Sequence, residues 1–341
     1  MIDKMKAAML YGVRDLRVEE IPVKPIDPDQ ALVKIKACGI CPTDVRSFTG
    51  LRKGGSFPRT LGHEWVGEIA EVGEDFQGFK VGDRVAADWR AVCGNCYYCR
   101  KGIINYCSNM PRHKVSGGFY GYGRSTAQNL RLIPEDMSYE EAAFAEPLAC
   151  CLNGSQESRI SIGDDVVIVG AGPIGLQHVQ IAKSKGARVI VSEFIERRLE
   201  KAKELGADDV ICPAKEDAVE RVKELTEGRG ANTVIVAVGT IKAAQTAIEM
   251  AGICGTVNFF AGTYPSGDFP LDPNVVHYRQ LVLTGSHDFT PHHFTTAMKL
   301  IQYGTIKVKP IISHVMPLEE LATAFEIVER QEGLKVIIRM D

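Results

Sequence analysis

Residues 164–175, DDVVIVGAGPIG, place an apolar strand pattern directly before glycines in G-x-G-x-x-G spacing, and the helical pattern LQHVQIAKSK follows at once. In such a unit the first glycine permits a tight turn and the second lets the backbone approach a pyrophosphate at the helix N-terminus. The third allows close packing of helix on strand. The stretch predicts a dinucleotide-binding turn, although glycines at a strand–helix turn can also be merely structural. The predicted contacts are Gly170, Gly172, Pro173, Ile174 and Gly175.

The pattern that begins at residue 164 continues through the following segments. Apolar strand candidates at 187–193, 208–213, 231–239, 255–261 and 280–286 alternate with amphipathic helical stretches. Near-continuous apolar strands separated by helices predict an α/β domain with a doubly wound, parallel Rossmann sheet that is covered on both faces.

The first 150 residues have a different pattern. Short β-like segments such as 31–40, 65–73 and 83–88 are broken by Gly and Pro, which predicts a twisted, barrel-like antiparallel domain. The tail KVIIRM is a strand candidate that we expect to return to this domain. The predicted division is therefore a first domain at 1–150, a nucleotide domain at 151–288 and a returning segment at 289–341.

The strand at 187–193 ends in Glu193, 18 residues after Gly175. A carboxylate at this point can accept hydrogen bonds from the adenosine ribose and repel a 2′-phosphate, which favours NAD over NADP. Arg197 and Arg198 lie close by in the sequence. Because an arginine can accommodate the phosphate, NADP stays open as the alternative, and Arg198 is included among the predicted cofactor contacts.

The bulk composition excludes several classes of protein. The chain has 341 residues, which favours more than one domain. A formal net charge of −3 gives no reason to expect nucleic acid or an anionic membrane as a partner. The N-terminal residues lack the apolar segment of a secretory signal, and no apolar run approaches the roughly 18 residues of a membrane span. We expect a cytoplasmic location.

Four of the ten cysteines lie within CGNCYYCRKGIINYC, residues 93–107, in C-x2-C-x2-C-x7-C spacing. Four thiolates complete a tetrahedral zinc shell, which then has no open position for a substrate. A redox pair, buried thiols or an iron–sulfur cluster are the alternatives, and the last is usually held by differently spaced runs. We predict a structural zinc in a lobe at 90–110, bound by Cys93, Cys96, Cys99 and Cys107.

Two further segments, CGICPTD (38–44) and GHEWVGE (62–68), carry candidate ligands for a second metal. A catalytic zinc takes three protein ligands from distant parts of a chain and keeps one position open. Cys41 and His63 are suitable ligand types at predicted strand–loop junctions. Taken singly, such a cysteine is most often a small buried residue and such a histidine a core residue.

With these segments in order, together with EPLACCLNG (146–154) and GAGPIG (170–175), the chain resembles the zinc-dependent medium-chain dehydrogenase/reductase family over nearly its whole length. The Glu-Pro-Leu form of the third segment resembles the sorbitol, or polyol, dehydrogenase branch. The resemblance implies that the first domain is GroES-like and that a catalytic zinc is bound by Cys41, His63 and Glu146. In addition, it implies Glu64 as an alternative or supporting carboxylate and Lys335 near the cofactor pyrophosphate.

The activity implied by the resemblance is NAD-linked oxidation of a secondary hydroxyl of a polyol or sugar-like alcohol. Zinc lowers the pKa of a bound hydroxyl, Thr43 takes the hydroxyl proton and Asp44 orients the site. Arg46 stands where many members of the family have a histidine that ends the proton relay, which puts that relay in doubt because arginine does not release its proton. The family also implies a homo-oligomer, and the polyol branch favours a tetramer over a dimer.

Three alternatives remain. The same machinery can serve another substrate, such as an L-threonine-type amino alcohol or a simple secondary alcohol or butanediol. The zinc-independent quinone reductase branch is disfavoured because both zinc sites look complete. A non-catalytic NAD-binding protein is the alternative from another class, and the intact set of Cys41, His63, Glu146 and Thr43 argues against it.

Overall fold

The computed structural model describes residues 3–52 and 54–340. The strands are β1 (Lys4–Gly12), β2 (Asp15–Pro22), β3 (Gln30–Gly39), β4 (Arg59–Thr60), β5 (Glu64–Val72), β6 (Arg84–Ala87), β7 (Tyr122–Thr126), β8 (Leu130–Leu132), β9 (Asp165–Val169), β10 (Arg188–Ser192), β11 (Asp209–Ile211), β12 (Ala231–Val236), β13 (Ala251–Phe259), β14 (Val282–Gly285), β15 (Ile312–Pro317) and β16 (Lys335–Arg339).

The helices are α1 (Pro42–Phe48), α2 (Tyr97–Arg100), α3 (Tyr139–Ala142), α4 (Ala145–Glu157), α5 (Pro173–Ser184), α6 (Glu196–Glu204), α7 (Ala218–Leu225), α8 (Ile241–Met250), α9 (Pro273–Arg279), α10 (Pro291–Gln302) and α11 (Leu321–Glu329). Short 3₁₀ helices lie at Ile104–Tyr106, Ala127–Asn129, Lys309–Ile311 and Leu318–Glu320. No helix in residues 3–52 and 54–340 is long and apolar enough to cross a membrane.

The chain forms two compact units. The first comprises the described residues of Met1–Pro147, Thr290–Gln302 and Val308–Asp341, and the second comprises Leu148–Phe289 and Tyr303–Lys307. The division at residues 150 and 288 stays a prediction.

The first unit is built on a sheet in which the strands lie in the order β15-β16-β3-β5-β6-β8, with β7 also paired to β3. The pairs are antiparallel except for β15 with β16. The last strand of the chain therefore lies beside β3, with Ile338 opposite Cys38. The core under this sheet includes the buried rings of Trp65, Phe119 and Phe325. The mainly β first domain predicted from the short, turn-rich segments is confirmed.

In the second unit the strands lie in the order β11-β10-β9-β12-β13-β14, and each pair is parallel. All five residues of β9 are buried, as expected for a strand covered by helices on both faces. The predicted doubly wound parallel sheet is confirmed. The chain runs outward from β9 to β11 and then returns to place β12 on the other side of β9. In such sheets, ligands bind at the carboxyl ends of the strands where the order reverses, and Gly170 directly follows β9.

Candidate active site

Helix α1 places Cys41 and Asp44 at the end of strand β3. Cys41 is the N-cap residue, and its backbone N–H donates to Asp44 Oδ2 at 3.1 Å. The other carboxylate oxygen of the buried Asp44 accepts a hydrogen bond from the N–H of Gly62 at 3.0 Å. Asp44 therefore holds the start of α1 against the segment that leads into β5.

His63 follows Gly62 and lies between two carboxylates. Its Nδ1 is 3.7 Å from Asp44 Oδ1, and its Nε2 is 4.0 Å from Glu146 Oε1. Although burial opposes protonation, Asp44 and Cys41 raise the pKa of His63 well above its ordinary value. The ligand atoms of Cys41, His63 and Glu64 all lie within 4.8 Å of one another. A cation at this cluster would be stabilised electrostatically.

Glu64, at the start of β5, has a buried cationic partner. The ammonium group of Lys335 donates to Glu64 Oε2 and also to the carbonyl oxygen of Ile40 at 3.0 Å. The ring of Phe144 lies 5.8 Å from the same ammonium. Burial disfavours the charged lysine, yet Glu64 and Cys41 raise the pKa of Lys335. The structure thus pairs Lys335 with Glu64, and its predicted contact with the cofactor stays a prediction.

Glu146 lies in the first turn of α4 and is buried. Burial raises the pKa of Glu146 to about 7. Its Oε1 accepts a hydrogen bond from the indole N–H of Trp89 at 3.1 Å, and the indole also packs edge-on against the ring of His63 at 6.1 Å. The sequence interpretation missed Trp89. One signal was available in the sequence: Trp89 directly follows the strand at 83–88. Because a buried indole N–H usually finds a hydrogen-bond acceptor, this tryptophan could have been considered as a partner for a buried carboxylate.

These side chains suit a zinc ion of the catalytic type. Such sites use a thiolate, an imidazole or a carboxylate in sets of three and keep one position open. Cys41, His63 and Glu146 offer one group of each kind, and a divalent cation would keep the buried carboxylate of Glu146 ionised. Which residues bind the metal stays a prediction.

Thr43 and Arg46 occupy the less buried side of α1. Both are partly exposed, whereas Asp44, Val45 and Ser47 are buried. Because residues three apart in a helix share a face, Thr43 and Arg46 lie on the same side. Helix α1 therefore carries a hydroxyl and a guanidinium on its partly exposed side.

The cysteine lobe is already arranged around a common centre. Cys93 Sγ lies 3.5 Å from Cys107 Sγ and 4.0 Å from Cys99 Sγ, and Cys96 Sγ lies 4.0 Å from Cys107 Sγ. Four sulfurs bonded to one tetrahedral zinc at about 2.3 Å stand about 3.8 Å apart. The four cysteines of the lobe are not joined by disulfides, so these distances are those of separate thiols. The spacing fits a closed zinc shell.

Backbone N–H groups favour the charged form of Cys96 and Cys107, whereas burial raises the pKa of Cys99 to about 12. The N–H groups of Cys93, Cys96 and Cys99 point to sulfurs of the cluster at 3.4, 3.4 and 3.5 Å. The N–H of Cys99 is the main cause that lowers the pKa of Cys96 to about 5. Thiolates are the form in which cysteine binds zinc.

In the second unit, the glycine turn has the shape that the spacing predicts. Gly170 has φ = 99°, a left-handed conformation that favours glycine. A Cβ on Gly175 would overlap the carbonyl oxygen of Gly170, so only glycine allows α5 to approach β9 this closely. Gly172 is the N-cap of α5 and has open space where a Cβ would stand. Pro173 and Ile174 form the first turn, where backbone N–H groups attract anions.

Glu193 directly follows β10 and is turned toward this glycine turn. Its Oε2 accepts a hydrogen bond from the N–H of Ala171 at 2.9 Å, and its Oε1 accepts bonds from the N–H groups of Phe194 and Ile195. Arg198 Nη1 lies 3.9 Å from Glu193 Oε2. The two residues that the sequence connects with cofactor selectivity therefore stand side by side.

Known families match both halves of the chain. Residues 27–140 match the alcohol dehydrogenase GroES-like domain, and residues 173–303 match the zinc-binding dehydrogenase domain. The chain is 34% identical to the D-arabitol-phosphate dehydrogenase of Enterococcus avium, with 96% of this chain and 94% of that protein covered. It is 32% identical to the sorbitol dehydrogenase of Bacillus subtilis, with 98% and 97% covered. An L-threonine 3-dehydrogenase of Pyrococcus abyssi is 34% identical, with 100% and 99% covered.

Solved structures agree with these relatives. A zinc-binding dehydrogenase of Sinorhizobium meliloti bound to NADP superposes with a TM-score of 0.91 at 30% identity, covering 98% of this chain and 99% of that one. An Escherichia coli alcohol dehydrogenase complexed with NADH gives a TM-score of 0.90 at 28% identity, covering 99% and 100%. The predicted GroES-like and Rossmann-type architecture is confirmed.

Proposed function

This chain belongs to the zinc-binding medium-chain alcohol dehydrogenase family, and from that premise we propose that it oxidises a secondary hydroxyl of a polyol or sugar-like alcohol to a ketone. Membership makes it an oxidoreductase acting on CH–OH donors, with a nicotinamide cofactor. Relatives named for sorbitol and altritol support the polyol as substrate class. The observation that carries the proposal is the position of His63, whose ring lies within 4.8 Å of the Cys41 sulfur on one side and 4.0 Å from Glu146 Oε1 on the other.

We assign the catalytic metal to Cys41, His63 and Glu146. Glu64 is the weaker candidate because Lys335 already compensates its charge, whereas Oε1 of Glu146 lies beside the His63 ring, 4.0 Å from Nε2. When bound, zinc supplies a Lewis acid that lowers the pKa of the substrate hydroxyl. A second, structural zinc belongs to Cys93, Cys96, Cys99 and Cys107.

The proposed protein groups then handle the proton and the geometry. Thr43, which is partly exposed on α1, accepts the hydroxyl proton. Asp44 fixes both the backbone of Cys41 and the ring of His63. A guanidinium offers hydrogen-bond donors and no acceptor, so we assign Arg46 to substrate or cofactor oxygens rather than to proton transfer.

We propose NAD as the cofactor, bound at Gly170, Gly172, Pro173, Ile174 and Gly175. Glu193 supports this choice because a carboxylate next to the ribose repels a 2′-phosphate. Arg198 beside it is the group that an NADP-binding protein would use, and Lys335 is retained as a pyrophosphate contact. Glu193→Ala is expected to raise kcat/KM for NADP relative to NAD, and an unchanged ratio would remove Glu193 from the selectivity.

A panel of substrates tests the function directly. The purified protein is assayed by absorbance with sorbitol, other polyols, inositols, aldoses, L-threonine and 2,3-butanediol, each with NAD and with NADP. Polyols with NAD are expected to give the highest kcat/KM. A different outcome is a protein that contains two zinc ions per subunit and reduces neither cofactor with any of these alcohols. That result would favour a non-catalytic NAD-binding protein.

L-threonine is the second candidate substrate. The Pyrococcus relative of that name matches this chain over its whole length at the same identity as the arabitol-phosphate enzyme. Higher kcat/KM with L-threonine than with any polyol would replace the main proposal. Light scattering would check the remaining expectation of a homotetramer.

A further inference from the structure

We propose that Trp89 is a positioning residue that fixes the carboxylate of Glu146 for metal binding, and that Arg90 ties this contact to the cysteine lobe. The inference rests on the proposed metal-ligand role of Glu146. Trp89 and Arg90 were not among the predicted site residues; they lie between β6 and Cys93, with Arg90 at the first position of the lobe.

The contact between Trp89 and Glu146 restricts a side chain that has several rotatable bonds. Glutamate has three side-chain torsions, and its terminal one is broad. The indole N–H holds Oε1 at 3.1 Å, while the same oxygen lies 4.0 Å from His63 Nε2. A hydrogen bond from a rigid donor favours one orientation of the carboxylate before the metal arrives, and it also favours the ionised form.

Trp89 is itself held in place by Arg90. The Cζ atom of the Arg90 guanidinium lies 4.7 Å from the centre of the indole, a cation–π distance. The Asn129 side-chain amide donates to the backbone carbonyls of Asp88 and Arg90, at 3.0 and 2.8 Å, on either side of Trp89. Both the ring and the backbone of Trp89 are therefore constrained.

Arg90 connects the tryptophan to the lobe. The buried guanidinium donates from Nη1 to the carbonyl oxygen of Asn105 at 2.7 Å, with Met110 Sδ at 3.9 Å. Asn105 lies in the 3₁₀ helix Ile104–Tyr106, immediately before Cys107. Three contacts, from Asn105 to Arg90, from Arg90 to Trp89 and from Trp89 to Glu146, thus join the 3₁₀ helix beside Cys107 to the carboxylate of Glu146. Order in the lobe is transmitted to Glu146 by direct packing.

The chain contains a matched pair of tryptophans for the test. Trp89→Phe removes the indole N–H that binds Glu146 and keeps an aromatic ring. Trp65→Phe removes the other indole of the chain, which is buried and whose N–H has no hydrogen-bond partner within the described residues. Both changes replace tryptophan by phenylalanine, so their difference isolates the bond to Glu146.

The readout is metal binding, measured by competition with a chelator and by the visible spectrum of the Co²⁺-substituted protein. Trp89→Phe is expected to weaken metal binding at the proposed catalytic site, the one that the chelator empties first, about 10-fold or more. It is also expected to shift the Co²⁺ bands, as loss of a supporting contact typically does. Trp65→Phe is expected to stay within about twofold of the parent and to keep its bands. Arg90→Lys, which keeps the charge but not the stacked plane, is expected to change in the same direction as Trp89→Phe.

Parent-like affinity and bands in a folded Trp89→Phe protein would overturn the inference. Should that variant not fold, parent-like behaviour of Arg90→Lys would overturn it equally. Neither measurement needs turnover, so a failure of the proposed function is recognised separately. In that case no alcohol is oxidised, yet Cys41→Ser and Trp89→Phe still alter the Co²⁺ spectrum.

Discussion

Lys335 and Glu64 form a buried ion pair although 271 positions separate them in the chain. The pair exists because β16 and β5 both lie beside β3: Gly39 is opposite Glu64 on one side and Ile337 on the other. Gly39 leaves the space between them open, since a Cβ there would collide with the carboxylate of Glu64 and approach Lys335 Cε at 2.9 Å. Three neighbouring strands thus bring Lys335 and Glu64 together next to Cys41.

Lys335→Met is expected to destabilise the protein strongly, because it leaves the carboxylate of Glu64 buried without its cation. Breaking one side of a buried pair costs about 3–5 kcal/mol. The double variant Lys335→Met/Glu64→Gln is expected to recover most of that loss, as no charge stays uncompensated. Urea unfolding of the two variants and the parent measures both the loss of stability in the single variant and its recovery in the double variant. Equal stability of the single and double variants would contradict the pairing.

Cys41→Ser and His63→Ala are each expected to abolish turnover and to remove one zinc per subunit, with far-ultraviolet circular dichroism unchanged. The reason is that each removes a ligand from a site with only three protein ligands. His292→Ala, which changes an exposed histidine on α10, is the matched control and is expected to keep zinc and activity. Retained activity in the Cys41 or His63 variant would refute the assignment.

Cys93→Ser is expected to act on stability rather than on chemistry. Its sulfur has neighbours in the cluster at 3.5 and 4.0 Å, and a structural zinc contributes directly to folding free energy. We expect one zinc per subunit to be lost and the Tm to fall, while the remaining molecules still turn over. Cys254→Ser, at an exposed thiol outside the cluster, controls for the chemical change. An unchanged zinc content in Cys93→Ser would exclude the cluster as a metal site.

Asp88→Asn is expected to stabilise the protein at neutral pH but not at acidic pH. Burial raises the pKa of Asp88 to about 6 from 3.8, so its favourable contribution is fully present below about pH 3.8 and is lost as the pH rises through about 6. That difference in pKa corresponds to a loss of about 3 kcal/mol in the free energy of unfolding. Asparagine keeps the oxygen that accepts the N–H of Arg90 and cannot ionise. The free energies of unfolding of parent and variant are compared from pH 4 to pH 8, and parallel profiles would refute the prediction.

The local motifs were predictable because neighbours in sequence are neighbours in space. The glycine turn needs only residues 170–175 and the strand before them, and the cysteine lobe needs only residues 93–107. In both, the spacing alone determines which backbone groups or sulfurs can meet. The alternating strands and helices likewise predict the parallel sheet.

The proposed catalytic residues were identified differently. Cys41, His63 and Glu146 are suggested by resemblance to a family, since nothing in their spacing requires that they meet. His63 comes to lie beside Cys41 through the capping of α1 and the pairing of β3 with β5, and beside Glu146 at the start of α4. For Glu193 too, the sequence predicts only part of the arrangement. Its position after β10 is evident from the sequence, but the hydrogen bond that it accepts from the N–H of Ala171 is not.

By itself, the sequence determined the glycine turn, the four-thiol cluster, the strand–helix alternation and the family. Only the tertiary structure decided that Lys335 neutralises Glu64 and that Trp89, held by Arg90, binds Glu146. The physical reason is the separation of the residues along the chain. A turn or a cluster of closely spaced cysteines is determined by a few torsions between nearby residues. Contacts across 57 or 271 positions depend instead on strand order and on how buried polar groups find partners.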